Sequence, residues 1–207
     1  MRLDRSLDDL FRSASHVRVL RALFELPEGF STSARDIARR AGISHPTASS
    51  ALASFSAQGV VLTAKAGRGD QFELNRDHIA VGEMEGVFEW ERKVLGELVA
   101  FLGKRLKRKI PGVREAFLFG SVARSEMKAD SDIDLALICT KAGAARAEDA
   151  LEDLAGEVRA RFGNRLNTIV ATEPLRTIVR TAPGPRRRLW ERIRDEGLPV
   201  VAERRSA

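Results

Sequence analysis

Leu118-Phe119-Gly120-Ser121-Val122-Ala123-Arg124-Ser125-Glu126, followed by Asp130-Ser131-Asp132-Ile133-Asp134-Leu135, is the stretch on which the reading of this chain turns. The apolar run Ala116 to Phe119 predicts a buried strand that stops at a Gly-Ser turn. A polar loop follows, and a second apolar run, Ile133 to Cys139, opens with two aspartates one residue apart. Strand alternation puts Asp132 and Asp134 on one side, with Ile133 and Leu135 facing a core. Two like charges at close range are costly unless a cation lies between them. Hard oxygen ligands suit Mg²⁺, which takes one or two carboxylates together with phosphate oxygens. Gly120 and Ser121 would offer backbone N–H groups and a hydroxyl to those phosphates. The stretch reads as a metal–nucleotide site.

The pattern G-S-x(10)-D-x-D resembles the signature of the DNA polymerase β-like nucleotidyltransferase superfamily. More narrowly it is similar to the minimal nucleotidyltransferase (MNT) branch, whose loop reads G-S-x-A-R-G-E ahead of S-D-I-D-L. Gly120, Ser121, Ala123, Arg124, Glu126, Ser131, Asp132, Ile133, Asp134 and Leu135 match. Ser125 departs, standing where the family has Gly, so the turn must form without a residue that readily adopts positive φ. The resemblance implies that Asp132 and Asp134 hold a pair of Mg²⁺ ions about 3.5–4 Å apart. It also implies that Gly120, Ser121, Arg124 and Ser131 bind a nucleoside triphosphate, with ATP the expected one. The family's third carboxylate, from a later strand, falls on Asn167 in Leu166-Asn167-Thr168-Ile169-Val170. An amide carries no charge and is no base, so catalysis at position 167 would be impaired. Glu173, just past that strand, would replace it only if the chain curled back.

At 207 residues, 43% of them hydrophobic, the chain suits two small domains. Its single Cys139 excludes an intramolecular disulfide and reads as a small buried hydrophobe. Met1-Arg2-Leu3-Asp4-Arg5 is charged and lacks a signal-peptide core, and no apolar run approaches membrane-spanning length. A cytoplasmic protein without membrane contact is expected. The net charge of +6 permits nucleic-acid binding without showing it. Residues 86–110 carry seven Lys/Arg against three acids, which reads first as a solvated helix end and second as a phosphate contact.

Residues 1–12 are expected to be a short helical lead-in. Val17, Leu20, Leu23, Phe24 and Leu26 recur at helical spacing before Pro27. Ser33 to Ala41 predicts a second helix stopped by Gly42, and Ser44 an N-cap for a third that runs to Ala57. Pro46 lies in its first turn, and Ala48, Ala51, Leu52 and Phe55 form its inward stripe. Val60 to Leu74, around Gly67-Arg68-Gly69, predicts a β-hairpin. Three helices and a basic-tipped hairpin over residues 13–77 resemble a winged helix-turn-helix domain of transcriptional regulators. The resemblance makes double-stranded DNA the expected partner of Ser44, His45, Thr47, Ser49, Ser50 and Arg68. Arg35, Arg39 and Arg40 would stand beside the backbone. The helix offers short side chains rather than the Arg or Asn forks that discriminate bases strongly.

His78 to Lys109 predicts one long helix with Val87, Phe88, Trp90, Val94, Leu95, Leu98, Val99, Phe101 and Leu102 on an apolar side. By analogy with dimeric winged helices it would pack between domains or against a second copy, giving a homodimer. Beyond it, strands Val113–Gly120, Ile133–Cys139 and Leu166–Ala171 alternate with a helix Ala144–Phe162. Short helices from Pro174 and Pro185 and an edge strand 197–201 complete the pattern. The expected fold is a two-domain α+β or α/β chain. A winged helix-turn-helix domain (1–77) would lead through a linker helix (78–110) to a small nucleotidyltransferase fold with a mixed sheet (111–207).

Function follows in three versions. The first is a DNA-binding regulator fused to a nucleotidyltransferase that modifies a hydroxyl, for instance on a partner protein, as antitoxins of this family do. The second is a degenerate enzyme fold serving a transcription factor as nucleotide sensor or dimer module, which Asn167 favours. The third is an enzyme acting on RNA or a small molecule. The chain has no Tyr, which excludes self-modification at tyrosine.

Overall fold

Ser13 accepts a hydrogen bond from the His16 backbone N–H and starts the helix α1 (Ala14–Phe24). The computed structural model describes residues 10–67, 69–128 and 130–202; residues 1–9 of the lead-in expected over 1–12, and Arg68, lie outside them. The chain forms two compact units, which divide between Lys93 and Val94.

In the first unit α1 is followed by β1 (Thr32–Ser33), α2 (Ala34–Ala41), α3 (His45–Ala57), β2 (Val61–Ala66) and β3 (Gly69–Leu74). Gly42 closes α2 at φ 62°, ψ 38°, the left-handed cap that a glycine adopts at little cost. Ser44 caps α3 through the Thr47 N–H, with Pro46 in the first turn. The predicted inward stripe, Ala48, Ala51, Leu52 and Phe55, is buried. β2 and β3 pair antiparallel from Val61↔Leu74 to Ala66↔Gly69, the expected hairpin. β1 was not expected: two residues give no alternation to read, and they extend the sheet to the order β1-β3-β2.

α4 (Ile79–Lys109) is a single 31-residue helix. Its apolar side is narrower than expected. Val81, Met84 and Phe88 enter the first core at i, i+3 and i+7, and Phe24 stacks on Phe88 at 4.7 Å. Leu98, Leu102 and Leu106 enter the second. Val87 and Trp90 are exposed, at 54% and 56%, because at about 100° per residue they fall outside the Val81–Met84–Phe88 stripe. Leu95 is 36% exposed. The basic end is partly engaged: Arg105 pairs with Glu157 at 2.7 Å, and Lys109 with Asp153 and Glu157 at 3.0 and 3.1 Å.

The second unit is a four-stranded mixed sheet, β6 (Leu166–Ala171), β5 (Ile133–Cys139), β4 (Val113–Phe119) and β7 (Leu198–Val201), in that spatial order. β5 and β6 are parallel, and the other pairs antiparallel. The single helix expected over Ala144–Phe162 is two, α5 (Lys141–Ala144) and α6 (Ala147–Phe162). Thr140 caps α5 early, and Arg146 leaves helical geometry at φ −108°, ψ 2° before α6 begins. α7 (Leu175–Thr181) and α8 (Gly184–Glu196) follow β6. Leu135, Leu137 and Cys139 pack with α6 and α4 on one face of the sheet. Ala136 and Ile138 pack with Ile178, Trp190 and Ile193 on the other. β5 is therefore covered on both faces beyond Asp134, as a near-continuous apolar run requires.

Candidate nucleotide site

The site lies where β4 ends and β5 and β6 begin. Ile133 and Leu135 are buried as alternation requires, while Asp132 and Asp134 are half-buried. Asp134 is opposite Phe119 on β4 and Asn167 on β6, so the sheet register brings the end of β4, the carboxylate and the amide together. Gly120 turns at φ 73°, and a Cβ built on it would come 2.4 Å from Asp134 Oδ2. The Asp134 carboxylate therefore lies against the Gly120 backbone, an approach open only to glycine.

The loop after Gly120 is a tight turn. Arg124 N–H donates to the Gly120 carbonyl at 3.3 Å, and Glu126 N–H to the Ser121 carbonyl at 2.9 Å. Ser125 has φ 57°, the positive value that glycine would supply more cheaply. A cavity of about 270 Å³ opens here, lined by Gly120, Ser121, Arg124, Asp134, Leu189 and Arg192 among others. Arg124 is held by Glu126 at 2.8 Å and lies 3.9 Å from Glu196. The hydrogen bond to Glu126 raises its pKa above the ordinary guanidinium value. Sequence reasoning missed Arg192, because an arginine in an arginine-rich helix carries no local signal. Only the packing of α8 beside β4 brings it to this cavity.

Asn167 Nδ2 donates to Asp132 Oδ2 at 3.2 Å and to Asp134 Oδ1 at 3.4 Å. The amide faces both carboxylates with hydrogen-bond donors. Glu173 does not replace it: it pairs with Arg186 at 3.6 Å and lies past the far end of β6, roughly 20 Å of extended chain away. Ser131 Oγ accepts from Lys128 N–H at 2.8 Å, and the Ser131 carbonyl accepts from Asn164 Nδ2 at 2.9 Å. Among the described residues no three His, Cys, Asp or Glu side chains come together.

On the winged-helix unit, the residues expected to meet DNA divide. His45 and Ser49 line a groove of about 760 Å³ between α3 and the hairpin, together with Arg35, Thr63, Asp70 and Phe72. The Ser44 and Thr47 hydroxyls bond each other at 2.7 Å on the exposed start of α3, and Ser50 is exposed. Arg39 and Arg40 are less available than expected, because both pair with Asp36, Arg40 at 2.7 Å. Chiefly through its hydrogen bond from Arg40, the Asp36 carboxyl is held below its ordinary pKa.

Residues 102–177 match the family model described as polymerase beta, nucleotidyltransferase, and residues 12–69 match that of the MarR family. Two solved structures, both of toxin–antitoxin proteins, resemble the chain. One, with AMP-PNP, is 20% identical with a TM-score of 0.35, over 49% of this chain and 70% of the other. A mutant of MntA-HpeT is 18% identical with a TM-score of 0.36, over 51% and 74%. No curated protein matches. The chain is thus similar, in succession, to a MarR-type winged helix over residues 12–69 and to a polymerase beta-type nucleotidyltransferase over residues 102–177.

Proposed function

We propose that the second unit transfers a nucleoside monophosphate from a triphosphate, ATP first among the candidates, to an acceptor hydroxyl, while the winged helix binds duplex DNA. The observation that carries this reading is the Asp134 carboxylate pressed against the Gly120 turn, with Ser121, Arg124 and Arg192 in one cavity. Ser121 and the turn would take the terminal phosphates, and the two guanidiniums would neutralise their charge. The acceptor oxygen would bond to the α-phosphorus, the bond to the pyrophosphate oxygen would break, and the hydroxyl proton would leave to solvent. The class of acceptor stays open in this reading, a partner protein of a homodimeric regulator among the candidates.

The donors fit one divalent cation. Asp132 and Asp134 would hold Mg²⁺ delivered with the triphosphate, which is how this ion uses one or two carboxylates. When bound it would neutralise charge developing on the phosphates. A second Mg²⁺ lacks the third carboxylate, since Asn167 offers its amide instead. The same amide favours a second reading, a nucleotide sensor without transfer, because two donor contacts to the carboxylates stabilise the ion-free arrangement.

Calorimetric titration of the four nucleoside triphosphates with Mg²⁺ tests the proposal. We expect metal-dependent binding that the double change Asp132→Ala/Asp134→Ala abolishes, and pyrophosphate release once an acceptor is present. Absence of binding to the native chain would overturn it. Tight binding without pyrophosphate release for any hydroxyl acceptor would select the sensor.

A further inference from the structure

A second cavity, of about 540 Å³, flanks the aspartate pair and shares no lining residue with the first. Its walls are Ser131 and Asp132 before β5, Arg159 on α6, and Asn164 and Arg165 leading into β6. Because the sheet order is β6-β5-β4, this cavity lies on the β6 flank of the carboxylates and the Gly120 cavity on the β4 flank. Asp132 lines one and Asp134 the other. That arrangement suits in-line displacement, in which the attacking oxygen and the leaving pyrophosphate occupy opposite sides of the α-phosphorus.

The chemistry of the second cavity narrows its ligand. No hydrogen bond or ion pair engages the Arg165 side chain among the described residues. Arg159 Nη1 donates to the Gly163 carbonyl at 2.6 Å, which leaves the rest of its guanidinium for a ligand. Two guanidiniums facing one space match an anion of phosphate geometry, which each can bind through paired N–H donors. Asp130 and Asp132 also line the cavity, and their charge repels an anion, which favours the phosphate beside the arginines and the neutral hydroxyl beside Asp132.

We propose that this cavity is the acceptor site, and that its acceptor bears a phosphate next to the attacking hydroxyl. The inference rests on the nucleotidyltransferase reading and adds the acceptor's chemical class. The phosphate belongs either to a small phosphoester or to the end of a polynucleotide.

The test is calorimetry on the full chain saturated with Mg²⁺ and a non-hydrolysable ATP analogue. The probes are adenosine 3′-monophosphate, the dinucleotide ApA and, as the phosphate-free control, adenosine. We expect the phosphate-bearing probes to bind and adenosine not to. Arg165→Ala should weaken them about tenfold, the scale of one charge-assisted hydrogen-bonding group, and Arg165→Lys should recover part of the loss. Neither variant should alter affinity for the ATP analogue or the melting temperature. Tighter binding of ApA assigns the phosphate to a polynucleotide end, and tighter binding of the monophosphate to a small phosphoester. Adenosine binding as well as the phosphorylated probes, or unchanged probe affinity in Arg165→Ala, would overturn the inference and leave the nucleotidyltransferase reading standing. Failure of the ATP analogue itself to bind would remove that reading, and the acceptor role with it.

Discussion

Gly120 shows how one missing side chain shapes the site. Its positive φ would cost another residue about 1 kcal/mol, and the carboxylate of Asp134 fills the volume a Cβ would take. Gly120→Ala is therefore expected to push Asp134 off the turn and lower triphosphate affinity about tenfold or more, with only a modest drop in melting temperature. Titration calorimetry beside thermal unfolding would separate the two effects. Much of this was legible: glycine, serine and the two aspartates at fixed spacing already defined the turn and the carboxylates. Ser125 was legible as a departure that deprives the turn of a ready positive-φ residue; that the serine itself would take φ 57°, as it does, was not. The contacts of Asn167 were not, because spacing gives a position in a strand but not which neighbour an amide faces. Arg159, Arg165 and Arg192 were equally hidden, since Arg159 and Arg192 reach their cavities through helix packing against the sheet, and Arg165 through the pairing of β6 beside β5.

Helix caps were readable at the scale of elements, because capping is local chemistry. Ser44 and Gly42 each act within three or four residues. Ser44→Ala should cost about 1 kcal/mol of stability in the winged-helix unit, measurable as a lower melting temperature, because the Thr47 N–H loses its acceptor. Elements that depend on distant partners were harder. β1 exists because Thr32 and Ser33 meet β3, a pairing across some forty residues. The division of α5 from α6 turns on Thr140 capping a helix four residues long. In α4 apolar residues were counted correctly and their faces were not: a 31-residue helix that serves two cores in succession has no single stripe to read.

For the molecule as a whole, excess positive charge coexists with carboxylates that depend on it. Asp36, Glu89, Glu91 and Asp195 all have pKa values lowered, first of all by hydrogen bonds from Arg40, Lys93, Arg21 and Arg194. A carboxylate whose folded pKa lies below its unfolded value contributes stability above the unfolded value, and that contribution is lost as pH falls through the folded one. The melting temperature should therefore hold from pH 7 to about 5 and decline below about pH 4, where these groups take up protons. Glu91→Gln should flatten part of that decline, because its partner Arg21 ties α1 to α4 at 2.6 Å. The scarcity of aromatic chromophores has an optical consequence. With no tyrosine and two tryptophans, ultraviolet emission comes from Trp90 in one unit and Trp190 in the other, the first open to water and the second 3% exposed. Trp190 adjoins Leu189 on the helix that walls the Gly120 cavity, so the blue component of the spectrum is a built-in lamp beside that cavity. The red component reports on the winged-helix unit, and no label is needed to tell the two apart.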